Sequence, residues 1–286
     1  MELILIQILN GLQYGLLIFL AASGLTLVFG ILGIINLSHG SFYMLGAYLS
    51  LTLTSLTGDI FLTLLIGVPL AFLFGVLIEW LFVRHLYGRD HLQQVLLTFA
   101  LILIFNDLQR MIWGTRPHSV PIPSYLKASI QLSDVLSYPV YRLAVAGVCV
   151  FLVLCMIYVI QYTRIGQMIR AGESNREMVE VLGIDSRLLY RFVFAAGVAL
   201  AAAAGTIAAP IDSVYPGIGE PVLIISFVVV VIGGIGSIKG AFFGALLIGL
   251  ADAFGKVFLP ELASVVVYAL MAAVLVVRPG GLFGRV

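Results

Sequence analysis

The sequence predicts an all-α, polytopic membrane protein of about eight or nine transmembrane helices, some of them short or broken. Three observations carry that prediction. Of the 286 residues, 62% are hydrophobic and only 10% charged, against roughly 25% charged in soluble domains. Mean hydropathy is +1.15. Apolar runs long enough to cross a bilayer core, which takes about 20 helical residues, recur from end to end. A bilayer interior offers exposed backbone no hydrogen-bond partner, so spans are helices or closed barrels, and continuous apolar runs exclude the alternating pattern of barrel strands. One integral membrane domain over residues 1–286 is the economical reading.

In order, the runs are 5–31, 39–57, 60–83, 92–112, 139–160, 190–210, 221–233, 240–258 and 263–277. The first follows Met1-Glu2-Leu3 with no Lys or Arg ahead of it, so it reads as a retained span and not a cleavable signal. The segment from Trp113 to Pro139, with Pro117, Pro121 and Pro123, is the longest connection on its side. In the fifth run Cys149 and Cys155 project in different directions from a helix and are expected to pack, not to form a disulfide or a metal pair. Pro210, Pro216 and Pro221 punctuate the approach to the short seventh run, and Gly233-Gly-Ile-Gly-Ser-Ile-Lys-Gly240 separates that run from the eighth. Val222 to Val231 reads equally as a half-helix or a tilted span, which leaves eight and nine crossings both open. Small-residue faces at Gly11 and Gly15, at Gly236, Gly240 and Gly244, and from Ala195 to Gly205 allow close helix approach, first of all within the chain.

The formal net charge of +1 gives no basis for a nucleic-acid partner. Orientation rests on local charge. Placing the loop 161–191 in the cytoplasm puts ten of the fifteen Lys and Arg residues inside: Arg84, Arg89, Arg164, Arg170, Arg176, Arg187, Arg191, Lys239, Arg278 and Arg285. Arg110, Arg116, Lys127, Arg142 and Lys256 stay outside. The positive-inside rule favours this arrangement, with a cytoplasmic C-terminus and, for nine crossings, an external N-terminus.

That loop holds the one polar, well-capped segment of the chain. Ser174-Asn175-Arg176-Glu177 fits a capping box, in which the Ser side chain accepts from the N3 amide and Glu177 reaches back. The spacing predicts a helix from Asn175 to Leu182, stopped by Gly183, with Met178, Val181 and Leu182 on one apolar face. Two turns of helix are marginal in water and need a surface to pack on. A capped link between two spans and a docking element for another protein both satisfy that need.

Around it, Arg164-x-Gly166, Arg170-Ala171 and Leu182-Gly-Ile-Asp185 resemble the intracellular loop of permeases in the branched-chain amino acid ABC importer family, LivH type. Asn10-Gly-Leu-Gln-Tyr-Gly-Leu16, Gly24-Leu-Thr-Leu-Val-Phe-Gly30 and Ile35-Asn-Leu-Ser-His-Gly-Ser-Phe-Tyr-Met-Leu-Gly-Ala-Tyr48 are similar to that family's opening. Val231 to Ala241 and Arg278-Pro-Gly-Gly-Leu-Phe-Gly284 are similar to its closing segments. The resemblance implies a bacterial or archaeal cytoplasmic-membrane permease, surrounded by membrane lipid, that supplies half of a translocation pathway for branched-chain or related amino acids. It also implies a second, homologous permease, two cytoplasmic ATP-binding subunits and an extracytoplasmic solute-binding protein as partners. The family's ATPase-contacting loop falls on Glu173, Ser174, Asn175, Arg176, Glu177, Met178, Val181, Leu182 and Gly183. A rigid helix seated on an ATPase converts closure around ATP into movement of the spans it joins.

Asn36, Ser38, His39 and Ser41 form the densest uncharged polar cluster beside an apolar run, and Asn36, His39 and Tyr43 share a face if the segment is helical. Polar and ionisable groups at membrane depth usually face a bundle interior or a watery path. Asn36, Ser38, His39 and Tyr43 are therefore candidate pathway residues, with a structural role for His39 at a broken helix as the alternative. Asp107 and Arg110 are spaced for a local ion pair. Glu79 and Asp252 read as isolated carboxylates. Gly233 to Gly240 lacks the G-x-x-x-x-G-K-[ST] pattern, so no cofactor is expected in this chain and ATP belongs to partner subunits. No catalytic or metal-ligating set stands out: H-E-x-x-H is missing, and adjacent Ser38 and His39 project apart on a helix. An ion-coupled secondary transporter of small polar solutes is the rival reading; it leaves the capped helix without a purpose.

Overall fold

The computed structural model describes residues 2–133, 136–174 and 185–284. Ten helices lie among them: α1 (Glu2–Leu32), α2 (His39–Thr57), α3 (Ile60–Leu81), α4 (His91–Trp113), α5 (Val140–Tyr162), α6 (Arg164–Ser174), α7 (Ser186–Ala208), α8 (Gly219–Gly233), α9 (Ile238–Phe258) and α10 (Ala263–Val277). Among the described residues, seven apolar stretches are long enough to cross a membrane: α1, α3, α4, α5, α7, α9 and Pro260–Val277, which contains α10. The fold is that of a polytopic helical membrane protein. The long connection expected after Trp113 carries a two-stranded hairpin, β1 (Ser129–Ser133) and β2 (Leu136–Pro139), pairing Ile130 with Tyr138.

Local chemistry sets the helix ends. Asp59 accepts from the amides of Phe61 and Leu62 at the start of α3, at 2.6 and 3.1 Å. Asp185 does the same for Arg187 and Leu188 at α7, and Ser237 accepts from Gly240 at α9. Each satisfies donors that the first turn of a helix cannot pair internally. Gly33 stops α1 with φ +65°, a conformation L side chains rarely adopt.

The helices form an inner layer and a lipid-facing layer. α1 and α7 are mostly buried, while α3, α4, α5 and α10 turn Leu65, Leu73, Leu103, Phe151 and Val276 outward. Glycine and alanine let the inner layer close, as their positions in sequence suggested. Gly11 and Gly15 of α1 seat against Gly249, Leu250 and Ala245 of α9, Gly24 meets Gly197 of α7, and Gly46 of α2 meets Ala202 of α7. At Gly46 the opposing backbone leaves no space for a Cβ, and Thr206 Oγ1 donates across the same contact to the Gly46 carbonyl at 3.0 Å. Cys149 is buried and Cys155 exposed, both with free thiols.

Contacts sort the chain into two ends. Gly30 lies by Gly236, Gly234 by Gly284, and Glu79 by Arg191 at one end. Asn10 meets Arg142, Thr52 meets Trp113, and His118 pairs with Val214 at the other. The start of α1 and the last described residues therefore lie at opposite ends. That agrees with nine traverses among the described residues, counting the break at 33–38 with α2 as one and the 15-residue α8 as another.

Candidate functional site

The polar cluster predicted around His39 sits where the bundle is interrupted. Residues 33–38 are not helical, so the expectation that Asn36 shares a helical face with His39 and Tyr43 does not hold. Glycine at 33 ends α1, and the chain turns back before α2 begins. His39 Nε2 lies 2.9 Å from the Ala21 carbonyl, and the ring packs on Gly24. Gly24 in turn packs on Gly197, the central residue of the 23-residue α7, so α2 starts near the middle of the membrane. Irregular backbone at that depth is tolerated only inside protein or along a watery cavity, and Asn36, Ser38 and His39 are all at most 2% exposed.

The polar groups here are only partly satisfied. Asn36 Oδ1 accepts from the Ser38 amide at 3.1 Å and the Ser38 hydroxyl at 2.6 Å. Among the described residues, Asn36 Nδ2 and His39 Nδ1 have no hydrogen-bond partner. A carbonyl only accepts, so His39 donates from Nε2 and a neutral ring presents Nδ1 as an acceptor. One free donor and one free acceptor thus stand at mid-membrane, where an unpaired polar group is expensive. Tyr43, one turn on, is buried on the side of α2 near Asp212, Tyr14 and Tyr215. The four predicted residues therefore do not form one cluster: Asn36, Ser38 and His39 lie at the break and Tyr43 toward the end that holds Asp212 and Lys256. Burial raises the Asp212 carboxyl above its ordinary range, opposed by the cations of Lys256 and Arg142.

A second polar group joins this break, and sequence reasoning missed its central member. A small cleft between α2, α4 and α8 is lined by Gly40, Ser41, Asn106, Gly219 and Glu220. Asn106 Nδ2 donates to Glu220 Oε1 at 3.0 Å, whereas Asn106 Oδ1 and Gln109 Oε1 have no partner among the described residues. Gly40 and Gly219 let the starts of α2 and α8 meet backbone to backbone. Glu220 was legible only as an acid in the first turn of a short apolar run behind the proline-rich loop.

Two carboxylates read as isolated prove to be paired. Glu79 at the end of α3 is 1% exposed and forms an ion pair with Arg191 of α7 at 2.8 Å, while the Tyr87 hydroxyl donates to its other oxygen at 3.0 Å. Asp252 pairs with Lys256 one turn along α9 at 2.6 Å. The Asp107–Arg110 pair forms as expected, at 3.4 Å on an exposed surface. At the end holding Glu79, α6 leads into the predicted docking helix. Asn175, Arg176, Glu177, Met178, Val181, Leu182 and Gly183 lie outside the described residues. Glu173 and Ser174 are the last two residues of α6, so Ser174 closes a helix that begins at Arg164.

The family model described as branched-chain amino acid transport system / permease component matches residues 7–275. The high-affinity branched-chain amino acid transport system permease protein BraD of Pseudomonas aeruginosa is 32% identical, over 98% of this chain and 95% of that protein. The corresponding LivH of Escherichia coli K12 is 31% identical with the same coverage. A probable LivH of Methanocaldococcus jannaschii is 29% identical over 95% of this chain and 90% of its own. No solved structure matches. A match that runs through the broken second helix, the α6 loop and the glycine-rich turn before α9 covers every part of the site just described, and the chain belongs to the branched-chain amino acid transport system permease family.

Proposed function

We propose that this chain is the permease subunit of an ABC importer for branched-chain or related amino acids and forms half of its translocation pathway. The observation that carries the reading is likeness to transport permeases over nearly the whole length of both chains. A homologous second permease supplies the other half, two cytoplasmic ATP-binding subunits supply the energy, and an extracytoplasmic binding protein delivers solute. The chain binds no ATP itself. Its C-terminus and the loop 161–191 face the cytoplasm, and the loop seats Glu173 to Gly183 on the ATPases.

Within this reading Asn36, Ser38, His39 and Tyr43 line the solute path. The unpaired Asn36 Nδ2 and His39 Nδ1 support it, because groups left unpaired at mid-membrane gain a partner when water or a polar solute passes. The Glu79–Arg191 pair joins α3 to the helix leaving the coupling loop, so movement imposed on the loop reaches both spans together. The test is reconstitution with the partner subunits in proteoliposomes. Leucine uptake is expected to require ATP and the binding protein; uptake driven by an ion gradient without ATP overturns the proposal in favour of a secondary carrier.

A further inference from the structure

A groove of about 690 Å³ runs between α1, α5 and the start of α9. Its walls are apolar, with Leu16 and Phe19 on one side and Val150 and Leu154 on the other, and its mouth carries Arg170 and Lys239. Among the described residues, no Asp or Glu lines it. From Val150, near the middle of α5, to Gln161 at the mouth is eleven residues, or roughly 16 Å of helix. Half of a bilayer core is about 15 Å. The groove thus has the length of one leaflet and ends in cations where that leaflet's headgroups lie.

We propose that this groove holds one anionic phospholipid, with an acyl chain along Leu16, Val150 and Leu154 and the phosphate between Arg170 and Lys239. The leaflet is the one on the Arg170 side, which is cytoplasmic in the orientation proposed above. Charge complementarity selects this occupant over an apolar face of another subunit. Covering the mouth with apolar protein buries two like charges with nothing to neutralise them, whereas a phosphate accepts from both. Basic pockets between spans on the cytoplasmic side are where anionic headgroups bind. Arg170 is held toward the mouth by a hydrogen bond from its guanidinium to the Ile160 carbonyl, and Lys239 stands exposed one residue into α9.

Native mass spectrometry of the purified full chain, titrated with phosphatidylglycerol, phosphatidylcholine or glycerol phosphate, tests this. One phosphatidylglycerol is expected to bind at least fivefold more tightly than phosphatidylcholine. Glycerol phosphate, which has the anion but no chain, is not expected to displace it. Lys239→Gln should reduce the preference to within twofold, Lys239→Arg should keep it, and Val150→Trp, which fills the groove, should weaken both lipids at least fivefold. Equal binding of the two lipids to the unaltered protein, displacement by glycerol phosphate, or an undiminished preference in a Lys239→Gln, Arg170→Gln double variant overturns the proposal. So does a cross-linker on Leu154→Cys that captures a second polypeptide in place of lipid. The titration is read in detergent and is indifferent to orientation and to transport, so its failure is distinct from failure of the importer reading.

Discussion

Glu79 shows at the residue scale what one sequence hides. It reads as a lone carboxylate in an apolar run, because its partner Arg191 is 112 positions away. The pair is buried on one side only, with Arg191 31% exposed. Removing the cation leaves an uncompensated buried charge, so Arg191→Ala should destabilise the folded protein by about 3 kcal/mol, the lower end for buried pairs because of that exposure. Thermal unfolding in detergent measures it, and Glu79→Gln in the same background should restore much of the loss. His39→Ala removes the link from α2 to the Ala21 carbonyl; transport lost with the complex intact assigns His39 to the path, and loss of assembly assigns it to the break. The identity of the polar residues at the break was legible in the sequence. Their geometry was not, because nothing local distinguishes a helical Asn36 from one in an extended turn.

At the scale of elements, the apolar runs foretold the helices to within a few residues, since membrane length and composition leave few alternatives. α6 escaped because Gly166 and Gly172 punctuate it and its polar residues resemble a loop; only tertiary contact, such as Gly172 against Leu189, gives it a surface. The small-residue faces were legible, but not which helices they join. The α2–α7 crossing at Gly46 depends on backbone approach, so Gly46→Val should force the helices apart, costing about 3 kcal/mol or more and abolishing uptake. An unchanged melting temperature would refute that dependence. For the predicted coupling helix, Val179→Pro should uncouple ATP hydrolysis from uptake while leaving membrane insertion intact; unaltered uptake in proteoliposomes defeats its assignment.

For the whole molecule, contacts place Arg191 at one end and Arg142 and Lys256 at the other, and the positive-inside rule assigns the Arg191 end to the cytoplasm as an expectation to be tested. In intact cells, therefore, a cysteine replacing Lys127 should react with an impermeant maleimide, and one replacing Lys239 should react only after the membrane is opened; the reverse pattern would invert the protein. The break before α2 bears on how the chain is made. α2 is not among the stretches apolar enough to cross unaided, yet its middle is buried against α7, which begins 129 residues after α2 ends. At about 5–20 residues per second, a ribosome takes on the order of ten seconds to cover that interval. During it, α1 and α3 are in place to hold α2, but the Gly46 face still lacks the α7 surface it packs on. A chain truncated before Ser186 should therefore carry the Gly46 face of α2 uncovered, and is expected to be degraded faster in cells than the full chain.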